Sequence, residues 1–137
     1  MGALIHIRAG LALVLAGGLS ACASGEGAQA DRAAASPQYL GAEARLLDSD
    51  LINIRLSMRG ARDRAEVAEY GKCATAGHAL NRGYGFARHL RTNVEEDGGL
   101  WRGDAVYTVS ADRPRGLRII DAREAVADCA QKGIPTV

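Results

Sequence analysis

The stretch Leu51-Ile52-Asn53-Ile54-Arg55-Leu56-Ser57-Met58 decides the fold of this chain. Its apolar residues alternate with polar ones, and two of them are isoleucines. A period of two with branched side chains is typical of a β-strand that buries one face. Gly60 follows two residues later and is expected to end the strand. The sequence therefore predicts a sheet with one buried side and one side towards solvent.

A helix is predicted after this strand, over residues 64–82. Asp63 is the expected N-cap, Glu66 stands three residues later as in a capping box, and Gly83 is the expected stop. At 100° per residue, one broad face collects the residues expected to be buried: Val67, Tyr70, Cys73, Ala74, Gly77 and Leu80. The residues expected largely off that face are Glu69, Lys72, Thr75 and Ala79.

Three more strands and a second helix are predicted in the rest of the chain. The strands are Tyr84–Val94, Leu100–Ser110 and Leu117–Ile120, and residues 95–99 are expected to form a five-residue hairpin loop. The helix Ala122–Lys132 follows Asp121 as N-cap and ends at Gly133. The predicted order is β-α-β-β-β-α. We expect an α+β two-layer sandwich, with two helices on one face of a small, mainly antiparallel sheet.

The N-terminal region has the pattern of a secretory signal peptide. Arg8 precedes an apolar run, which ends in Leu19-Ser20-Ala21-Cys22. These four residues resemble the lipobox of bacterial lipoproteins. The resemblance implies cleavage between Ala21 and Cys22, lipid on the Cys22 sulfur, and acylation of the new amino group, with palmitate as an expected acyl chain. The alternative is a single transmembrane helix, but the apolar run is about eleven residues and a span needs roughly 20.

These features predict a division of the chain into three parts. Residues 1–21 are the expected signal peptide, residues 22–50 the lipidated cysteine with a flexible tether, and residues 51–137 a small periplasmic domain. Ala23, directly after Cys22, is not the aspartate that retains enteric lipoproteins on the inner membrane. By that resemblance we expect the outer membrane, with the domain facing the periplasm.

A second resemblance lies in the middle of the chain. The strand residues 54–60, the helix residues Glu69-Tyr70 and Ala74, and the segment Gly83-Tyr84-Gly85-Phe86 resemble small uncharacterised proteobacterial lipoproteins. A more distant likeness is to Rcs-type envelope stress sensors, which are lipoproteins with helices on a small sheet and disulfides. The resemblance implies a fold and an envelope location, and it supplies no active site.

Composition excludes one class of partner. The chain has 17 basic and 16 acidic residues, and removal of Arg8 with the signal peptide leaves no net charge. A balanced chain offers no electrostatic attraction for nucleic acid. Aromatic residues make up only 4%, so the core must consist mainly of Ala, Leu, Val and Ile.

The two cysteines beyond Cys22 are expected to form a disulfide. In an oxidising envelope, Cys73 and Cys129 have each other as partners, and the bond would join the two helices. Closing so long a loop contributes about 4 kcal/mol in the chain-entropy estimate. The alternatives are a zinc site that also uses His78 and His89, and a nucleophilic Cys–His pair. His78 is about 140° from Cys73 around the helix, which opposes a shared metal ion.

The remaining candidates suggest binding and not chemistry. Trp101 follows the Gly98-Gly99 turn, where it either contacts a partner or covers the edge of the core. Glu95, Glu96 and Asp97 lack the spacing of an EF-hand. We therefore predict no catalytic residue, metal or cofactor. The expected function is a membrane-anchored, non-catalytic binding module with an envelope protein or cell-wall partner. The alternatives are a redox-linked or hydrolytic envelope enzyme and a purely structural role.

Overall fold

A computed structural model describes residues 36–137 of the chain. The predicted signal peptide, its cleavage site at Ala21 and the lipidation site Cys22 lie outside these residues. The described residues form, in chain order, β1 (Gln38–Leu46), β2 (Leu51–Arg59), α1 (Arg64–Asn81), β3 (Phe86–Asp97), β4 (Leu100–Ser110), β5 (Ile119–Asp121) and α2 (Ala122–Lys132).

The five strands form one antiparallel sheet in the order β1-β2-β4-β3-β5. The apolar residues of β2 are buried, as their alternation predicted, and α1 packs on this face of the sheet. Gly103 of β4 allows close approach, because a Cβ there would lie 3.0 Å from Leu56 Cγ and 3.0 Å from Val67 Cγ1. The α+β fold with a mainly antiparallel sheet is confirmed. We call the side that carries α1 the helix face and the opposite side the open face.

The domain begins earlier in the chain than predicted, because an additional strand precedes residue 51. Residues 38–46 were assigned to the flexible tether, but they form β1 and pair with β2 from Gln38 opposite Arg59 to Leu46 opposite Ile52. The register shifts between Tyr39 and Gly41, where Gly41 has φ +137°. This bulge adds a residue and resets the alternation of inward and outward side chains. The period-two signal of the strand is therefore broken in the sequence.

The hairpin between β3 and β4 is tighter than predicted. Its turn consists of Gly98 and Gly99 alone, at φ +56° and +81°, and two positive φ angles are typical of a type I′ turn. The predicted five-residue loop is wrong, because Glu95, Glu96 and Asp97 belong to β3. Opposite charges face each other across the hairpin, since Glu95 is paired with Arg102.

Helix α1 begins where the capping pattern predicted. Asp63 Oδ1 accepts a hydrogen bond from the Glu66 N–H at 2.9 Å, while Glu66 Oε2 accepts one from the Arg62 N–H at 2.7 Å. The burial of Thr75 and Ala79, both 0% exposed, was not predicted. A single helical face underestimates burial here, because the sheet, α2 and the C-terminal tail all cover α1.

The tail closes over α1 at Gly77. A Cβ at Gly77 would lie 2.7 Å from Thr136 Cβ and 2.7 Å from the Val137 carbonyl oxygen. Asn81 Nδ2 also donates a hydrogen bond to that carbonyl at 3.1 Å. The C-terminal residues are thus part of the packed structure.

Helix α2 lies beside α1 and is linked to it by a disulfide. Asp121 Oδ1 accepts hydrogen bonds from the N–H groups of Arg123 and Glu124, and Gly133 ends the helix in the left-handed conformation. The Cys73–Cys129 disulfide joins the two helices, and both cysteines are 0% exposed. The predicted disulfide is confirmed. Within residues 36–137, neither helix has the length and apolarity needed to cross a bilayer.

Removing this bond is expected to destabilise the domain strongly. Cys73→Ala with Cys129→Ala should lower the free energy of unfolding by about 4 kcal/mol, because the unfolded chain regains the entropy of an open loop. Urea denaturation of the full chain measures this loss. Cys22→Ser is the matched control and should leave the midpoint unchanged. A change below about 1 kcal/mol in the double variant would contradict the stabilising role.

Candidate functional site

A cleft between α1 and the β5 end of the sheet is the candidate site. Its volume is about 330 Å³, at the lower end of the range of small-molecule sites. We call it the α1–β5 cleft. Its lining residues are Ala65, Ala68, Glu69, Lys72, His89, Tyr107, Arg118, Ile119 and Ile120. Helix α1 supplies one wall, β3 and β4 the floor, and β5 with the residue before it the other wall.

A chain of hydrogen bonds runs from the floor of the cleft into the core. His89 Nε2 and Thr92 Oγ1 are 2.7 Å apart, and the Tyr107 hydroxyl hydrogen bonds to the side chains of Thr92 and Thr75. Thr75 Oγ1 in turn donates to the Gly71 carbonyl at 2.7 Å. The imidazole also packs edge-on against Tyr107, with ring centroids 5.2 Å apart. This connected arrangement holds the floor of the cleft rigid.

Burial disfavours the charged form of both rings of the floor. Burial raises the pKa of Tyr107 to about 12, although hydrogen bonding with Thr75 and Thr92 opposes the shift. Burial and the Arg118 guanidinium lower the pKa of His89, while a backbone hydrogen bond at Arg91 acts the other way. The two rings of the floor therefore already have hydrogen-bond partners within the protein.

The carboxylate of the cleft is shared by two ammonium groups. Glu69 Oε1 lies 2.9 Å from Lys72 Nζ and 3.1 Å from Lys132 Nζ. Burial raises the pKa of Glu69, but the hydrogen bonds from the two lysines outweigh it and leave the pKa below its usual value. The negative charge of the cleft is thus neutralised within the protein.

Arg118 contributes the remaining charge at the cleft. Its side chain is exposed, and it has no carboxylate partner among residues 36–137. Arg118 is also the one non-glycine residue in the described part with a positive φ, +58°, and its carbonyl accepts a hydrogen bond from the His89 N–H at 3.1 Å. A left-handed non-glycine residue costs about 1–3 kcal/mol and is frequent at functional sites.

The residues singled out from the sequence lie apart from this cleft, except for His89. Trp101 is half-buried on the helix face of β4, opposite Met58, and packs against the core. Cys73 and Cys129 are bonded to each other, which removes them from the zinc and nucleophile alternatives. Burial and the nearby Arg82 lower the pKa of His78 on α1. No group of three His, Cys, Asp or Glu side chains converges on a metal position anywhere in residues 36–137.

Sequence reasoning missed Arg118 and the cleft itself. His89 and Tyr107 stand opposite each other on β3 and β4, but only the register brings them together. A bulge between His89 and Arg91 adds to the difficulty. The sequence indicated the two strands but not their register. No residue pattern around Arg118 indicates a left-handed backbone conformation.

A second depression, about 540 Å³ in volume, lies beside β1, β2 and β4. On the open face, Asp104 accepts a hydrogen bond from Asn53 Nδ2 at 2.9 Å and lies within ion-pair distance of Arg55 and Arg91. Asp104 is thus already paired within this depression, while Glu43 and Arg102 of its lining have no ion-pair partner among residues 36–137.

The fold and the cleft define a small disulfide-bonded α+β domain. Residues 39–133 match the family described as YNQ4 C-terminal domain, and this chain belongs to that family. It is also similar to the "Uncharacterized 26.9 kDa protein in nqo8 5'region" of Paracoccus denitrificans, with 31% identity over 85 residues. That match covers 62% of this chain and 33% of the relative, so the chain corresponds to about a third of that protein. No solved structure matches the chain significantly.

Stability at high pH should report on Tyr107. Its folded pKa of about 12 exceeds the ordinary value of 10, so between these values the unfolded chain loses a proton that the folded chain keeps. The contribution of Tyr107 to the free energy of unfolding is complete below pH 10. Between pH 10 and the folded pKa it falls by about 1.4 kcal/mol per pH unit. Tyr107→Phe should lower stability at pH 7 by about 1 kcal/mol and flatten this decline. Urea denaturation from pH 9 to 11.5 measures both, and Tyr84→Phe, outside the cleft, should keep the original slope. An unchanged slope in Tyr107→Phe would contradict the assignment.

Proposed function

We propose that this protein is a lipid-anchored, non-catalytic binding module of the cell envelope. In this proposal the α1–β5 cleft receives a peptide carboxylate next to an apolar side chain. Such a group occurs both in envelope proteins and in cell-wall peptides. Arg118 binds the carboxylate, and the apolar side chain lies between Ala68 of α1 and Ile120 of β5.

The binding part of the proposal rests on the backbone conformation and the surroundings of Arg118. A guanidinium at the edge of an apolar cleft, held in a strained backbone conformation and without a carboxylate partner in the described residues, is suited to a bidentate bond with a carboxylate. The other cation of the cleft, Lys72, already has Glu69. Arg118 is therefore the residue that binds the anion in this proposal.

The lining of the cleft supports binding over catalysis. None of the lining residues is a serine, threonine or cysteine, and the Nε2 of His89 is engaged by Thr92. An acyl-transfer site would need a nucleophile within hydrogen-bond reach of a free base. The redox form of the enzyme alternative would need an accessible sulfur, whereas Cys73 and Cys129 are both fully buried.

The anchor part of the proposal rests on the sequence. Leu19-Ser20-Ala21-Cys22 has the form of a lipobox behind an apolar run. The likeness to small proteobacterial lipoproteins and to Rcs-type sensors agrees with an envelope location. Since the domain begins near Gln38, the proposed tether between Cys22 and the domain is shorter than the sequence pattern suggested. Ala23 favours the outer membrane, with the domain facing the periplasm.

Intact-mass measurement of the membrane-extracted protein tests the anchor. We expect a chain that begins at Cys22 and carries a lipid-sized increment, because the lipobox directs cleavage and acylation. Cys22→Ser is the control and should yield no lipidated species. A native chain that retains Met1 without lipid would refute the proposed location.

Nuclear magnetic resonance titration of the full chain in detergent tests the cleft. The probe is acetyl-Ala-Leu-Glu-amide, and its neutral match is acetyl-Ala-Leu-Gln-amide. We expect the acidic peptide to shift the signals of His89 and Ile119, and the neutral peptide to bind about tenfold more weakly, because one charge-assisted hydrogen bond is lost.

The matched variants for this titration are Arg118→Asn and Arg115→Asn. Asparagine tolerates a left-handed backbone, so Arg118→Asn removes the charge with little added strain. It should weaken binding of the acidic peptide about tenfold, whereas Arg115→Asn, in the neighbouring loop and outside the cleft lining, should not. No cleft shifts at millimolar peptide, or equal loss in both variants, would refute the proposed site.

A further inference from the structure

Within residues 36–137, the outer side of β1 is a sheet edge without a paired strand. β1 is the first strand of the sheet order, and nothing among residues 36–137 pairs with its outer side. Alternate backbone N–H and C=O groups of an edge strand point outward and are ready to pair with another strand. The bulge lies at the start of β1, which leaves Ala42–Leu46 as a regular strand.

The opposite edge of the sheet is more heavily protected than β1, whose bulge lies at its start and whose charged residues are Glu43 and Arg45. β5 covers β3 at residues 86–88, and the rest of β3 carries a bulge and the charged residues Arg91, Glu95, Glu96 and Asp97. Bulges and charges are the usual protection of an edge against pairing. Near β1, by contrast, Leu40, Leu46 and Leu47 are 53%, 52% and 52% exposed. Exposed apolar side chains beside an open edge indicate an interaction surface.

We propose that β1 pairs antiparallel with β1 of a second copy of this chain, about a two-fold axis through Ala44. In this register Glu43 lies opposite Arg45 of the second copy, and Arg45 opposite its Glu43. Neither residue has an ion-pair partner within the described part of its own chain. The two pairs that form across the axis are therefore new and complementary.

The pairing also continues the charge pattern of the open face. Within one chain, Asp104 lies opposite Arg55, and Arg55 lies opposite Glu43. Adding Arg45 of the second copy extends this row as acid, base, acid, base. Opposite charges on neighbouring strands stabilise a sheet, and like charges destabilise it. On the helix face, Leu46 comes to lie beside Ala42 of the second copy, which covers part of its exposed surface.

Other registers of the same two strands are worse. A shift by one residue would place open-face side chains against helix-face side chains. An axis through Glu43 would put two glutamates opposite each other, and an axis through Arg45 would put two arginines there. An axis nearer the N-terminus would bring the bulge at Gly41 into the interface. Of these registers, only the one with its axis through Ala44 matches like faces of the two sheets, pairs opposite charges and uses the regular part of β1.

A mixing experiment with two single variants tests the charge pairing. Glu43→Arg leaves two like pairs of arginines in a dimer of that variant, and Arg45→Glu leaves two like pairs of glutamates. Each variant alone should raise the dimer dissociation constant about tenfold. An equimolar mixture should restore dimers, because both pairs are then opposite in charge. Sedimentation velocity of the full chain in detergent, over a dilution series, measures each constant.

Disulfide trapping tests the register independently. In antiparallel strands, directly opposite residues have Cα atoms about 4.5–5.5 Å apart, which a disulfide can span. Ala44→Cys should therefore give a covalent dimer under oxidation, identified by the mass of the peptide linked through position 44. Ala42→Cys on the same face is the control, since two copies of position 42 would be about 13 Å apart along the strands and should not link.

Three results would overturn the proposal. One is a monomer at all concentrations, and another is equal trapping at positions 42 and 44. The third is failure of the mixed variants to associate better than each alone. Protection of the position-44 thiol from alkylation in a monomer would assign this edge to the chain's own residues before 36. None of these outcomes bears on the anchor or on the α1–β5 cleft.

Discussion

The bond between Cys73 and Cys129 is the constraint on which the arrangement of this domain depends. Helix α2 is only 11 residues long and contacts the sheet mainly through β5, so its position is set by α1. Asp121 is both the last residue of β5 and the N-cap of α2. Holding α2 against α1 therefore also holds β5, and with it the wall of the cleft that carries Arg118.

This constraint matters more here because the core is made of small side chains. Among the buried residues, alanines of α1 and β4 and the glycine at position 103 allow the helix and sheet to approach closely. Small side chains bury little apolar area each, so each contributes little free energy. A covalent link and satisfied hydrogen bonds then carry a larger share of the stability. In the described residues, no buried side-chain nitrogen or oxygen lacks a partner.

The α1–β5 cleft shows how the same packing shapes the surface of the domain. The chain of hydrogen bonds through His89, Thr92 and Tyr107 occupies the polar atoms of the floor. Two lysines neutralise Glu69 from one side. The rest of the cleft is an apolar space with one guanidinium at its edge. In the proposed function, this apolar space and this charge select the ligand by shape and charge.

Several elements were predictable from local pattern because their signals are local. The alternation in β2, the caps Asp63 and Asp121, and the stop at Gly133 each depend on residues within a few positions of one another. The β3–β4 hairpin was less predictable, since the sequence of residues 95–99 is compatible with both a two-residue and a five-residue loop. The acidic residues 95–97 continue the strand only because β4 pairs with them.

The sequence by itself determined the α+β class, the position of β2 and both helices, and the pairing of Cys73 with Cys129. The last was predicted from the expected envelope location, where the two cysteines beyond Cys22 have one possible bond. Tertiary structure alone decided that residues 38–46 form an edge strand, because the bulge near Gly41 removes the alternation that would reveal it. It also decided that Thr75 is buried and that Arg118 lies beside His89 at the cleft. These depend on strand register and on what covers α1, which are contacts between residues far apart in the chain.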